Sequence, residues 1–315
     1  MNLKSFLSLV EIRTKIASML PLLIGTLYGV HRFDFFNPLN FIFFFISLIF
    51  IDMATTAINH FYDFKNAKKE YGYNYDIHNP VKNYGLSNKT VITTIIILLI
   101  TAIISGVILY LRTNLLILLI GGLSFFVGIT YSFGPIPISR TPFGELFSGF
   151  FMGFFIFFIA THIHLPTSQK IINLIYQNYN LIFEINIIEL IYIFLASTPL
   201  ILSISNIMLA NNISDIEDDK KNDRYTLPIY IGKKKSLLLF KSLYYIIFID
   251  FIILIALNII PLFSLVIFLS LIPVQKNIQT FMQKQTKKDT FNTCIENFLW
   301  INGLYLISFI LYFIF

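Results

Sequence analysis

Two polar runs interrupt an otherwise apolar chain, and both place Asn and Asp four residues apart. The longer is Asn211-Asn212-Ile213-Ser214-Asp215-Ile216-Glu217-Asp218-Asp219, and the shorter is Asn59-His60-Phe61-Tyr62-Asp63. Four residues is about one helical turn, so Asn59 and Asp63 share a face, as do Asn211, Asp215 and Asp219; Asp218 falls near that second face. Each run closes a membrane-length apolar stretch. Carboxylates beside hydrocarbon are costly unless something pairs with them. Hard oxygen ligands on one face suit Mg²⁺, which usually completes its octahedron with water and phosphate oxygens. Two such faces meeting at a bilayer surface would make a diphosphate site. Each run also has an ordinary reading. The first is a helix end with interfacial Asn and Asp, and the second is a solvated loop balanced by Lys220, Lys221 and Arg224. Asp52 lies seven residues before Asn59, with Thr56 between. It is either functional or a hydrogen-bonding residue between helices.

The elements that must position these residues are membrane helices. The chain has 315 residues, 56% of them hydrophobic and 13% charged, with mean hydropathy +0.75. A soluble domain is nearer 45–50% apolar and about 25% charged. Apolar stretches recur from end to end, which predicts an all-α polytopic membrane protein with one domain over 1–315 and no separate soluble part. Nine spans are expected, at roughly 13–30, 40–62, 93–111, 115–131, 143–164, 186–209, 237–257, 259–274 and 293–315. Asn258 and Pro261 mark either a tight turn or a kink in one longer segment. The N-terminus shows no cleavage signal, so the first span is expected to be retained. The single cysteine, Cys294, excludes an internal disulfide and reads as packing. Gly25-xxx-Gly29 and Gly149-xxx-Gly153 have a spacing that permits close helix approach. Segment 166–185 reads as a longer external loop with no legible role.

Lys and Arg set the expected orientation. With the N-terminus and the loops after spans 2, 4, 6 and 8 on one side, that side collects 20 of the 23 basic residues. The other side keeps Arg32, Arg112 and Lys170. The first side is therefore expected to be cytoplasmic, and both polar runs fall on it. Basic loops beside anionic lipid account for the net charge of +6 without nucleic acid. The two long cytoplasmic loops each begin with an acidic run. This suggests a weak duplication, about 1–135 and 136–315. Abundant Phe, Ile, Asn, Lys and Tyr fit an isoprenoid-binding wall, and fit AT-rich codon usage equally well.

With both runs in view, the sequence resembles the UbiA-type intramembrane prenyltransferases, whose paired acidic motifs follow spans 2 and 6. Leu209 through Asp219, then Arg224-Tyr-Thr-Leu and Ile231-Gly232, is similar to the branch that prenylates 1,4-dihydroxy-2-naphthoate in menaquinone synthesis. So are Tyr131-Ser-Phe-Gly-Pro through Arg140-Thr-Pro-Phe-Gly-Glu145, and Ile12-Arg13-Thr14-Lys15 through Pro21 and Gly25. The chain departs from the family at His60, where an Asp is usual. Asp63 is then the one clear carboxylate of the first motif, unless Asp52, Glu70 or Asp76 substitutes.

The resemblance implies transfer of a polyprenyl group from an allylic diphosphate to an aromatic acceptor, with Mg²⁺ as cofactor. Asp63, Asp215 and Asp219 would be catalytic metal ligands. Asn59 and Asn211 would orient ligands or bind phosphate. Lys82 would reach the diphosphate, Tyr131 would bind substrate, and Arg13, Lys15 or Arg140 would hold the acceptor carboxylate. The expected partners are the polyprenyl diphosphate, dihydroxynaphthoate and the lipid bilayer of the cell membrane. Three other readings stand beside this one. They are a relative acting on another aromatic acceptor, a transporter with an acidic ion site using His162 and His164, and an isoprenoid-binding scaffold without turnover.

Overall fold

The computed structural model describes residues 1–66, 79–166, 169–177 and 180–315. Glu70 and Asp76, two candidates for the missing acid, lie outside the described residues. Nine of the described helices are long and apolar enough to cross a membrane. They are α1 (Ile12–Phe33), α2 (Pro38–Lys65), α3 (Asn88–Arg112), α4 (Leu115–Ser132), α5 (Gly144–His162), α6 (Ile187–Ser214), α7 (Lys233–Ala256), α8 (Leu262–Gln283) and α9 (Asn292–Ile314). The expected all-α polytopic architecture is what the chain adopts. The segment read as a loop holds a small antiparallel hairpin instead, β1 (Ile172–Gln177) with β2 (Asn180–Ile185).

The ends of α8 and α6 differ from expectation, for physical reasons. Helix α8 runs nine residues past 274, because Gln275, Lys276, Asn277 and Gln279 lie on an amphipathic turn whose inner face is Val274, Ile278 and Phe281. A hydropathy run stops where polar residues begin, but one apolar stripe is enough to continue a helix. Helix α6 likewise carries the start of the second polar run, residues 211–214, on its own last turn. The Asn258–Pro261 break is a tight turn: Asn258 takes a left-handed φ of 53°, and Pro261 caps the next helix from outside.

The chain divides into two compact units. The first is Met1–Met19 with Pro38–Pro137, and the second is Leu20–Asn37 with Ile138–Phe315. In the first, α2 packs along α3, and the N-terminal helix Leu3–Leu9 contacts α2 and the short helix Pro80–Asn83. Leu9, Ala57, Ile58, Phe61, Val81, Val91 and Ile95 form one core cluster there, beside Val10, Ala54 and Leu98. In the second, α5 is pressed between α1 and α6. A Cβ at Gly153 would lie 2.6 Å from the Ile201 backbone nitrogen, and one at Gly149 would meet Ser205 Oγ. A Cβ at Gly25 would lie 2.7 Å from the Phe157 carbonyl. The glycine spacings are therefore the seams of backbone-to-backbone packing. Residues Gly149–Phe155 form a π-helical stretch along the α6 seam.

Candidate active site

The second polar run forms the end of α6 and the connection that follows it. Ser214 Oγ donates to the Ala210 carbonyl at 2.9 Å, and the helix stops at Asp215 (φ −105°, ψ 5°). Ser and Asp side chains compete for backbone partners, which favours a stop here. The chain turns into a short helix, Ile216–Lys221, so the run is not one continuous helix as expected. The four-residue step survives the break, because the Asp219 N–H still donates to the Asp215 carbonyl at 2.7 Å. Asp218 does not join that face. It is exposed and sits 4.0 Å from Lys221, while Glu217 sits 3.9 Å from Lys220. For those two acids the solvated-loop reading holds, since exposed pairs at this spacing contribute little.

Asp215 and Asp219 are held differently. Asp219 is buried, accepts a hydrogen bond from Thr226 Oγ1 at 3.1 Å, and has Arg224 Nε 3.2 Å from its carboxylate. Burial raises its carboxyl pKa above the ordinary 3.8; Arg224 opposes that shift and Asp215 adds to it. Asp215 is met by Lys287 Nζ at 2.5 Å, from the turn between α8 and α9. Beneath them, Asn212 Nδ2 donates to Glu145 Oε1 at 2.9 Å, both side chains being buried, and Ser205 Oγ donates to the Glu145 carbonyl. These bonds fix the end of α6 to the start of α5. The Tyr225 N–H donates to the Arg140 carbonyl at 3.0 Å, which brings Arg140 to the same connection with its side chain exposed. Asn211 is half-buried on the last turn of α6. Gly232 closes the connection at φ 80°, ψ 153°, a conformation essentially restricted to glycine.

The first unit carries the other candidates. Asn59 is exposed and Asp63 half-buried on α2. Between them, His60 Nε2 lies 3.1 Å from Glu11, and its carbonyl accepts from Asn79 Nδ2 at 2.9 Å. Lys82 is exposed on a short helix, Pro80–Asn83, and Tyr131 is half-buried near the end of α4. Arg13 is exposed. Lys15 is buried, with its ammonium 2.6 Å from Asp52 Oδ1 and 2.7 Å from Thr56 Oγ1. Ser18 Oγ donates to the other Asp52 oxygen at 2.5 Å. Asp52 is thus engaged on both oxygens in joining α1 to α2. Those contacts fit the reading of Asp52 as a hydrogen-bonding residue between helices, and they engage Lys15 as well.

Sequence reasoning missed three contributors in the second unit. Lys287 is one of several loop lysines and reads as topogenic. Glu145 and Asn212 are visible as an acid opening an apolar span and as the neighbour of the chosen Asn211, but their pairing spans 67 residues.

Among the described residues, no three Asp, Glu, His or Cys side chains are gathered closely enough to ligate one ion. That does not exclude Mg²⁺, which commonly takes one or two carboxylates and fills its shell with water and phosphate. The Asp215/Asp219 pair offers hard oxygens now balanced by an ammonium and a guanidinium, so this donor set fits a cation.

Comparison with known proteins bears on the same elements. The chain is 31% identical over 226 residues to the 1,4-dihydroxy-2-naphthoate octaprenyltransferase of Bacillus subtilis, a match covering 72% of this chain. That match spans 65% of the relative, just under two thirds of its length. Among solved structures, a UbiA homologue from Aeropyrum pernix K1 superimposes with TM-score 0.68 at 16% identity, covering 94% of this chain and 98% of that one. A UbiA homologue from Archaeoglobus fulgidus bound to GPP and Mg²⁺ gives TM-score 0.62 at 16% identity, covering 97% and 98%. A digeranylgeranylglyceryl phosphate synthase gives 0.65 at 18%, covering 98% and 97%. At these identities the structures speak for the fold. The profile of the UbiA prenyltransferase family matches residues 18–302, and with nine membrane-length helices the chain belongs to that family as a multi-pass membrane protein.

Proposed function

We propose that this protein is an intramembrane prenyltransferase. It transfers a polyprenyl group from an allylic diphosphate to an aromatic acceptor, 1,4-dihydroxy-2-naphthoate, in (demethyl)menaquinone biosynthesis. The observation that carries this reading is the Asp215/Asp219 pair, two engaged carboxylates at the end of a membrane helix, each facing a cation. The named activity of the 31% identical relative supports the acceptor. Asp63 in the first unit and Asp215 and Asp219 in the second are the proposed Mg²⁺ ligands and catalytic residues. When bound, Mg²⁺ neutralises the diphosphate and makes it a better leaving group. Asn59 and Asn211 orient the ligands from beside them. Lys82 and Tyr131 contact the substrate, and the apolar helices exclude water from the ionising prenyl chain. Of the candidates for the acceptor carboxylate, Arg140 is favoured over Arg13. Its backbone carbonyl accepts from the Tyr225 N–H on the connection that carries Asp219, and Arg presents a bidentate fork. Lys15 is the weakest of the three, being tied to Asp52. The proposed orientation puts the N-terminus and both acidic runs on the cytoplasmic side of the cell membrane, on the strength of the Lys and Arg bias.

Membranes containing the protein, supplied with Mg²⁺, dihydroxynaphthoate and prenyl diphosphates of several lengths, test this by mass spectrometry of the extracted lipids. A prenylated naphthoquinone is expected, cut roughly 10²-fold or more in Asp215→Asn. Absence of product with every diphosphate, while the protein remains folded in the membrane, would overturn the reading.

A further inference from the structure

Lys287 takes no part in the reaction as proposed, yet it makes a closer contact with the acidic run than any other cation described. It projects from a turn built by its neighbours. Lys284 pairs with Asp289 at 2.6 Å, and the Thr286 N–H donates to Thr290 Oγ1 at 3.0 Å. From that turn its ammonium rests on Asp215 Oδ2 with both side chains largely sheltered, at 25% and 13% exposure. Asp219 also feels its charge. Sheltered pairs are screened less than surface pairs.

The two cations of the site are not equivalent. Arg224 is five residues from Asp219 on the same connection, and its N–H donates to the Asp219 carbonyl at 2.9 Å. It therefore travels with the carboxylate it serves. Lys287 comes from a separate loop, 72 residues further along the chain, on a flexible stem with rotatable donors. A divalent ion on Asp215 and an ammonium on the same carboxylate would lie within a few ångströms and repel strongly. One must leave, and the lysine has the freedom to do so.

We infer that Lys287 is a positioning residue. It holds Asp215 in the place of a metal ion while the site is unloaded, and moves to the incoming diphosphate when the metal takes Asp215. This rests on the metal role proposed for Asp215. The lysine then opposes a metal that arrives alone and assists a metal that arrives with diphosphate, so the site loads both together. Asp215 is never left as a bare carboxylate beside hydrocarbon, the state that would cost most.

The test is Mn²⁺ binding to the purified full-length protein at fixed ionic strength, followed by electron paramagnetic resonance, with no turnover involved. Lys287→Gln is expected to bind Mn²⁺ alone about tenfold more tightly than the parent protein. Lys288→Gln, which removes the same charge from the same loop, should not. Lys287→Arg keeps the tethered charge and should stay near the parent value, which guards against a merely disturbed turn. With inorganic pyrophosphate present the order should invert, Lys287→Gln holding Mn²⁺ and pyrophosphate more weakly. Unchanged or weaker affinity for Mn²⁺ alone in Lys287→Gln overturns the inference. So does a missing inversion, because the lysine then has no role toward diphosphate. If the parent protein binds no Mn²⁺ even with pyrophosphate present, or Asp215→Asn then binds it equally well, the metal role of Asp215 falls and the inference falls with it.

Discussion

As proposed, Asp63 is the one metal-binding carboxylate of the first run. His60, next to Asn59, lies 3.1 Å from Glu11 and adds no carboxylate to α2. Asp63→Ala should therefore abolish prenyl transfer, whereas His60→Ala should cost less than about tenfold, since it frees an exposed Glu11. Initial rates of both variants at saturating Mg²⁺ decide this, and full activity in Asp63→Ala would make the first run structural. Asp219 gives a second expectation, in pH. Burial raises its carboxyl pKa above 3.8, so Mg²⁺ bound there as proposed would compete with the proton for the same oxygens. The Mg²⁺ concentration for half-maximal rate should rise as pH falls, beginning above the ordinary aspartate range. In the metal-free protein the sign on folding is opposite. A raised carboxyl stabilises the fold while protonated, below its unfolded pKa, and that contribution is lost as pH rises through the folded value. Mg²⁺ titrations and metal-free melting curves across the acidic range check the two signs. The Asp215/Asp219 pair was legible because acids at helical spacing are rare beside long apolar stretches. Glu145 with Asn212, and Lys287 with Asp215, were not, because nothing local encodes a partner 67 or 72 residues away.

Elements were easier to read than their ends. Apolar length alone predicts nine helices, since hydrocarbon leaves a spanning chain little choice but to satisfy its backbone internally. The end of α8 and the stop at Asp215 depend on one-sided burial and on side-chain competition, and a hydropathy average sees neither. The glycine spacings marked packing seams correctly but gave no partners. The seam between α5 and α6 is close enough for a direct test. Gly153→Ala would force a methyl group to within 2.6 Å of the Ile201 backbone. Overpacking of this kind costs about 1–3 kcal/mol, so its melting temperature in detergent should fall by several degrees. Gly121→Ala meets nothing within 4 Å and should melt like the parent. Equal melting of the two variants would show that the seam can spread at no cost.

For the whole molecule, the membrane class follows from composition, and family membership from the profile match over 18–302. The unit boundary between Met19 and Leu20 was not legible, since it falls inside one apolar helix, α1. The sidedness proposed from Lys and Arg predicts that cysteines placed in 63–90 and 212–236, after Cys294→Ala, react with an impermeant reagent from the cytoplasmic face only. Labelling of the two segments from opposite faces would separate the two acidic runs for good. The Lys287–Asp215 contact also has a meaning in time. Asp215 leaves the ribosome 72 residues before its partner, roughly 4–14 s at ordinary elongation rates. Through that interval α6 is already made, and the basic residues that follow within ten positions, Lys220, Lys221 and Arg224, are the counter-charge at hand. The α8–α9 hairpin, on reaching the membrane, replaces this diffuse balance with a specific one. Insertion of α8 and α9 is therefore the step that brings Lys287 to the acidic run.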